Sequence, residues 1–83
     1  MTLRVSWTSP AQRDLRRLDR ELQRRIVDSV DRFAETGHGD VVRLQDVLPA
    51  EHRLRVGDWR VRFIKSSDSL SVLRVLPRDK AYR

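Results

Sequence analysis

The chain contains no cysteine, so neither a disulfide framework nor a thiolate metal site can hold it together. It has only two histidines, His38 and His52, and these form no cluster with metal-ligand spacing. No glycine-rich phosphate loop occurs, and no serine sits in a nucleophile motif. No apolar run approaches the roughly 20 residues needed to span a bilayer, and no signal peptide precedes the first strand, so a soluble cytosolic protein is expected. Repeats and low-complexity stretches are absent too. At 83 residues the chain is expected to form one domain over residues 1–83, with a core sufficient for one sheet and a helical layer.

Lysine is also scarce: of 18 basic residues, only Lys65 and Lys80 are lysine and the rest are arginine. Codon usage in a GC-rich genome can explain that preference. It does not explain the distribution of charge. Residues 1–46 hold nine basic and eight acidic side chains, whereas residues 47–83 hold nine basic and four acidic, so most of the net +6 lies in the second half. A basic surface on a small domain suggests nucleic acid or an acidic protein as partner.

The pattern along the chain predicts mixed secondary structure. Leu3-Arg4-Val5-Ser6-Trp7 alternates and reads as a strand with Leu3, Val5 and Trp7 inward. Ser9, Pro10 and Gln12 form a helix start, with a serine cap, proline at the first position and a capping-box glutamine. Ala11, Leu15 and Leu18 share one face, and Asp19 is placed to cap a second helix carrying Leu22, Ile26, Val30 and Phe33. The same spacing fits one long rod. Two helices with a break near Leu18–Arg20 are expected, because both can then pack on a short sheet. Gly37 is a left-handed terminator, and residues 40–50 are expected to be an apolar connector. The arginines at 13, 16, 17, 20, 24 and 25 alternate with acidic residues at spacings that allow salt bridges on solvent faces.

Three more strands are expected at about 52–56, 59–65 and 69–77, the last apolar on both faces and therefore interior. The first two carry the most informative pattern. In Arg53-Leu54-Arg55-Val56-Gly57-Asp58-Trp59-Arg60-Val61-Arg62-Phe63, arginine alternates with apolar residues on both sides of a Gly-Asp hairpin turn. Leu54, Val56, Trp59, Val61 and Phe63 should face the core, and Arg53, Arg55, Arg60 and Arg62 the opposite side. The fold class expected is α+β: a small antiparallel sheet with an N-terminal strand, two helices on one face and a C-terminal three-stranded meander. The other face would be open and basic.

This order, the size, the segment Leu54-Arg55-Val56-Gly57-Asp58-Trp59-Arg60-Val61 and the closing Arg78-x-x-x-Tyr82 together resemble the RelE/ParE superfamily of bacterial toxins, in its RelE-like branch. The resemblance covers nearly the whole chain. It implies the RelE-like fold and the toxin of a type II toxin–antitoxin system, with a separate antitoxin protein wrapping the domain. It also implies a monomeric endoribonuclease that enters the ribosomal A site and cleaves mRNA without a metal or other cofactor, by attack of a 2′-hydroxyl on the adjacent phosphorus, and so inhibits translation.

By the same resemblance, Arg60 and Arg78 would stabilise charge at the scissile phosphate, and Tyr82 would stack on a base or orient the hydroxyl. Arg53, Arg55, Arg62 and Lys80 would hold the RNA. Arg53 stands where ribonuclease members often carry lysine, and arginine does not lose its proton. Either Tyr82 serves as base, or orientation and electrostatics suffice. His52 titrates near neutrality, but alternation puts it on the face opposite Arg53. Two other readings use the same fold: a ParE-like, non-enzymatic inhibitor of DNA gyrase, and an RNA-binding toxin with weak or no cleavage.

Overall fold

In the computed structural model, which describes residues 2–44 and 50–81, the first strand β1 covers Arg4–Trp7. Its alternation is realised, with Val5 and Trp7 half-buried against the core and Arg4 and Ser6 exposed. Helix α1, Ser9–Arg16, follows at once. The cap is Thr8 rather than Ser9. The Thr8 hydroxyl accepts from the Ala11 N–H at 3.3 Å and donates to the Leu73 carbonyl at 3.0 Å. Thr8 therefore ties the helix to the sheet, which the exposed Ser9 does not. Gln12 reaches back to the Trp7 carbonyl at 3.0 Å instead of closing a capping box.

The break between the helices lies where Asp19 predicts it. Its carboxylate accepts from the Leu22 N–H at 2.8 Å and opens helix α2, Arg20–Thr36. Gly37 ends α2 in the left-handed region at φ 76°, its N–H bonding the Phe33 carbonyl at 2.8 Å. Ile26, Val30 and Ala34 form the buried stripe of α2.

The expected connector contains a strand. β2, Val41–Leu44, pairs antiparallel with β3, Glu51–Val56, while Val47 and Leu48 of that connector lie outside the described residues. β4, Trp59–Lys65, and β5, Ser69–Pro77, complete a five-stranded sheet in the order β1-β5-β4-β3-β2. The meander thus has four strands among the described residues, and the sheet is mixed, because β1 runs parallel to β5 with Val5 opposite Leu70 and Trp7 opposite Val72. One edge of β5 is used by β4, so the first strand takes the other. β5 is interior, as its apolar character predicts.

β1 ends opposite Val72, but β5 continues to Pro77. That remaining edge is covered by α1. Beyond the Thr8 bonds, the Asp14 carboxylate accepts from the Val75 N–H at 2.9 Å, which satisfies a backbone donor that would otherwise be buried without a partner. A β-bulge sits opposite Arg62/Phe63: Arg62 pairs with Arg74 and Phe63 with Val72, leaving Leu73 as the extra residue. Val72 and Val75 both reach the core because of it. The core joins Ala11, Ile26 and Val30 of the helices to Leu54, Val56, Val61, Phe63, Leu70, Val72 and Val75 of the sheet. Each Val, Leu, Ile or Phe among them stabilises the fold by about 1.5–3 kcal/mol when fully buried. Trp7 and Trp59 are half-buried at its margin, while Phe63 is wholly inside.

Candidate nucleic-acid interface

The sheet face away from the helices carries the arginines that alternation assigned to it. Register places Arg55 opposite Arg60, and Arg53 opposite Arg62, which in turn lies opposite Arg74. Three arginines therefore stand side by side across β3, β4 and β5. Sequence reasoning missed Arg74, because the bulge reverses the facing of the residues after it. Directly opposed like charges are destabilising on a sheet. Carboxylates offset this: Glu51 accepts from Arg62 Nε at 2.5 Å, and Asp14 accepts from Arg74 Nε at 2.8 Å and Nη2 at 3.2 Å. Glu51 and Asp14 are both buried.

The expectation of four guanidinium groups on an open basic face is therefore corrected. Arg62 is ion-paired and only 26 % exposed. Arg55 is exposed but reaches Asp40 at 3.4 Å. Arg60 is buried, with Nη1 donating to the carbonyls of Gly57 and Trp59, each at 2.9 Å. Alternation fixes where a Cα points, and a long flexible side chain can still fold back onto the turn beside it. Arg53 is half-buried on this face.

Two exposed cations, Arg78 and Lys80, lie at the turn end of the sheet. Arg78 follows β5, its N–H bonding the Asp58 carbonyl at 2.8 Å, so the start of the tail is fastened to the β3–β4 turn. Arg78 and Lys80 are exposed, while Ala81 is buried and its N–H turns back to Pro77. Asp58, Pro77, Arg78 and Asp79 line an open groove of about 600 Å³. Tyr82 lies outside the described residues.

His52 is on the helix-side face, as alternation predicts. Its ring stacks on Phe63 with centroids 5.2 Å apart and planes at 15°. Burial, followed by the charges of Lys65 and Arg43, holds its pKa below the ordinary value. It lies away from the arginine face. His38 is exposed in its loop, as expected. The helix salt bridges do not form: among the described residues the ion pairs are Arg4–Asp68, Arg55–Asp40, Arg62–Glu51 and Arg74–Asp14, none joining two helix residues. Asp14, expected to serve the helix surface, instead binds β5. Among those residues, no three His, Cys, Asp or Glu side chains are placed to hold a metal ion, and no helix is long and apolar enough to cross a membrane.

This arrangement can meet an anionic chain through the arginines of one sheet face, and at the turn end it sets Arg78 and Lys80 beside Asp58 and Asp79. Its fold is found in known structures. The RelE–RelB complex of the archaeon Pyrococcus horikoshii matches with TM-score 0.80 and 24 % identity over 96 % of this chain and 99 % of that one. RelB–RelE of Methanococcus jannaschii matches with TM-score 0.73 at 19 % identity, covering 92 % of this chain and 93 % of that one. RelBE2 of Mycobacterium tuberculosis matches with TM-score 0.69 at 22 % identity, covering 94 % and 100 %. No curated protein matches the sequence. A family model does, that of the ParE toxin of type II toxin-antitoxin systems (parDE), over residues 5–82. With residues 5–82 inside that model, the chain belongs to the RelE/ParE superfamily as a toxin of a type II toxin–antitoxin system.

Proposed function

We propose that this toxin is a ribosome-dependent mRNA endonuclease working as a monomer in the cytoplasm, restrained by a cognate antitoxin. The observation that carries the reading is the turn end of the sheet, where exposed Arg78 and Lys80 follow β5 and the Arg78 N–H is fastened to the Asp58 carbonyl, on a sheet that carries Arg53, Arg55 and Arg62 on one face. Such a surface suits the sugar–phosphate backbone of a single strand. Arg53, Arg55, Arg62 and Lys80 position the RNA, and Arg78 offers a planar fork to the scissile phosphate.

In the reaction the 2′-oxygen bonds to the adjacent phosphorus and the bond to the 5′-oxygen breaks, leaving a 2′,3′-cyclic phosphate and a 5′-hydroxyl. The hydroxyl proton must leave and the departing oxygen must gain one. Tyr82 is the tail residue assigned to carry that proton. Arg78 offsets the charge that grows on the phosphorane oxygens. Among the described residues Asp14 and Glu51 are tied to arginines and His52 lies on the other side, so the carboxylates that share a groove with Arg78 are Asp58 and Asp79.

Primer extension on transcripts from cells induced for the toxin tests the reading. Codon-registered 5′ ends that vanish in Arg78→Ala support it. The family model favours one other reading, since its description names ParE: a non-enzymatic inhibitor of DNA gyrase. A DNA-damage response with uncut transcripts would select that reading and sink the nuclease.

A further inference from the structure

The resemblance to ribonuclease toxins would place Arg60 on the scissile phosphate, but its surroundings give it another task. Its residue is 97 % buried, at 3 % relative exposure, and Nη1 donates to two carbonyls, those of Gly57 and Trp59. A phosphate oxygen must come within about 2.9 Å of a guanidinium nitrogen to be stabilised by it. Burial keeps it from doing so without opening the hairpin.

The carbonyl between those two, that of Asp58, receives the Arg78 N–H at 2.8 Å. Gly57, the turn's left-handed residue at φ 58°, is backed by another guanidinium: a Cβ built there would lie 3.3 Å from Arg25 Nη2. Three arginines thus meet one turn. Arg60 holds its carbonyls from within, Arg25 packs on its glycine, and Arg78 hangs from it by the backbone. We propose that Arg60 is a positioning residue, whose guanidinium fixes the Gly57–Trp59 turn so that the turn fixes Arg78 at the groove.

The chemistry suits that role. Arginine stays charged when buried, and its rigid fork can donate to two carbonyls from one nitrogen, which oriented backbone dipoles reward. A lysine would keep the charge but offer one compact ammonium on a flexible stem. The proposal rests on the reading of Arg78 as the phosphate-contacting group. It goes beyond that reading by assigning the hairpin turn, rather than β5 alone, as the support of the site.

Two readouts on Arg60→Met and Arg60→Lys test it. The first is amide hydrogen exchange of the free toxin. The Arg78 amide should exchange about tenfold faster or more in Arg60→Met, while the Thr8 amide, bonded to the Val72 carbonyl at 3.0 Å, stays protected. Unchanged protection at Arg78 overturns the proposal. The second is a double-mutant cycle for mRNA cleavage with Arg78→Ala. If Arg60 acts through Arg78, the double variant cleaves within about twofold of Arg78→Ala alone. Multiplying effects place Arg60 on the substrate directly and overturn it. If Arg60→Met fails to fold, Arg60→Lys carries both readouts: faster Arg78 exchange with a parallel loss of cleavage supports the proposal, and lost cleavage with full Arg78 protection defeats it. Exchange is read on the protein alone. A wild type that cuts no mRNA therefore strikes the nuclease reading, while the support of Arg78 by Arg60 is still decided by exchange.

Discussion

Asp14 and Arg74, sixty residues apart in sequence, are joined by two hydrogen bonds of 2.8 and 3.2 Å, and the same carboxylate takes the Val75 N–H at 2.9 Å. One buried side chain thus fastens α1 to the free edge of β5. Burial alone would raise the Asp14 pKa, but the Arg74 hydrogen bond, the Val75 N–H and the charges of Arg74 and Arg17 outweigh it and lower the value. The Arg74 pKa is raised in turn, chiefly by the same hydrogen bond.

A depressed carboxylate pKa stabilises the folded state above the unfolded value and ceases to as pH falls through the folded one. The Asp14 contribution should therefore be complete at neutral pH and decline below about pH 4, the range of an unfolded aspartate. Asp14→Ala removes it and orphans the Val75 donor, at a cost of about 2 kcal/mol. Thermal melts should show a drop of about 8–16 °C at pH 7. That gap should narrow on acidification.

His52 titrates in a second window. Its lowered pKa means that the unfolded chain binds a proton more readily, so stability should fall as pH drops below about 6.5, the ordinary histidine value. Burial is the main cause and Lys65 the next. Lys65→Ala should raise the His52 pKa, measured by NMR titration of its ring protons, and a Phe63→Leu change should raise it too if exposure follows.

Glu51 restrains the charge of Arg62. Glu51→Gln should cost about 1–2 kcal/mol of stability by weakening a charge-assisted bond to a buried group. It should also leave Arg62 available to a phosphate. Each added phosphate contact steepens the dependence of log K on log salt by about 0.7 for single-stranded nucleic acid. Binding to a short RNA measured across a salt series should show a change of that size, with tighter binding at low salt.

Two glycines close together should respond for different reasons. A Cβ at Gly39 would stand 2.9 Å from Leu54 Cδ1 and 3.4 Å from Phe33 Cδ1, so Gly39→Ala should cost about 1–3 kcal/mol by overpacking. Gly37 has open space around it but a φ of 76°, so Gly37→Ala should cost about 1–2 kcal/mol from backbone strain alone. Urea midpoints should separate them when Asn is tried: it tolerates the left-handed region and should restore position 37 but not position 39.

The elements governed by local chemistry were legible. Asp19 marked the helix break, Gly37 the helix end, Gly57-Asp58 the hairpin, and the apolar rows of β3 and β4 the core. What escaped depends on contacts distant in sequence. Val41-Val42-Arg43-Leu44 does not alternate, and becomes a strand only because β3 offers an edge. The parallel docking of β1 depends on β5, about 65 residues later. At the candidate site, alternation placed the arginine Cα atoms correctly, yet the carboxylates that claim Arg62 and Arg74 lie 11 and 60 residues away. The fate of Arg60 was hidden for the opposite reason: its partners are its own neighbours in the turn, reached by a side chain that folds back.

The parallel pairing of β1 with β5 also sets an order on assembly. Arg4–Trp7 has no strand to join until Ser69–Val72 has been made, so the sheet cannot close while the middle of the chain is still being translated. Contacts so far apart in sequence form late. Thr8 and Asp14 wait for the same strand, which leaves α1 undocked over that interval. Because the Arg78 N–H is fastened to the hairpin only after β5 is in place, a growing chain would have its arginines before it had its site. Synthesis itself would delay toxicity.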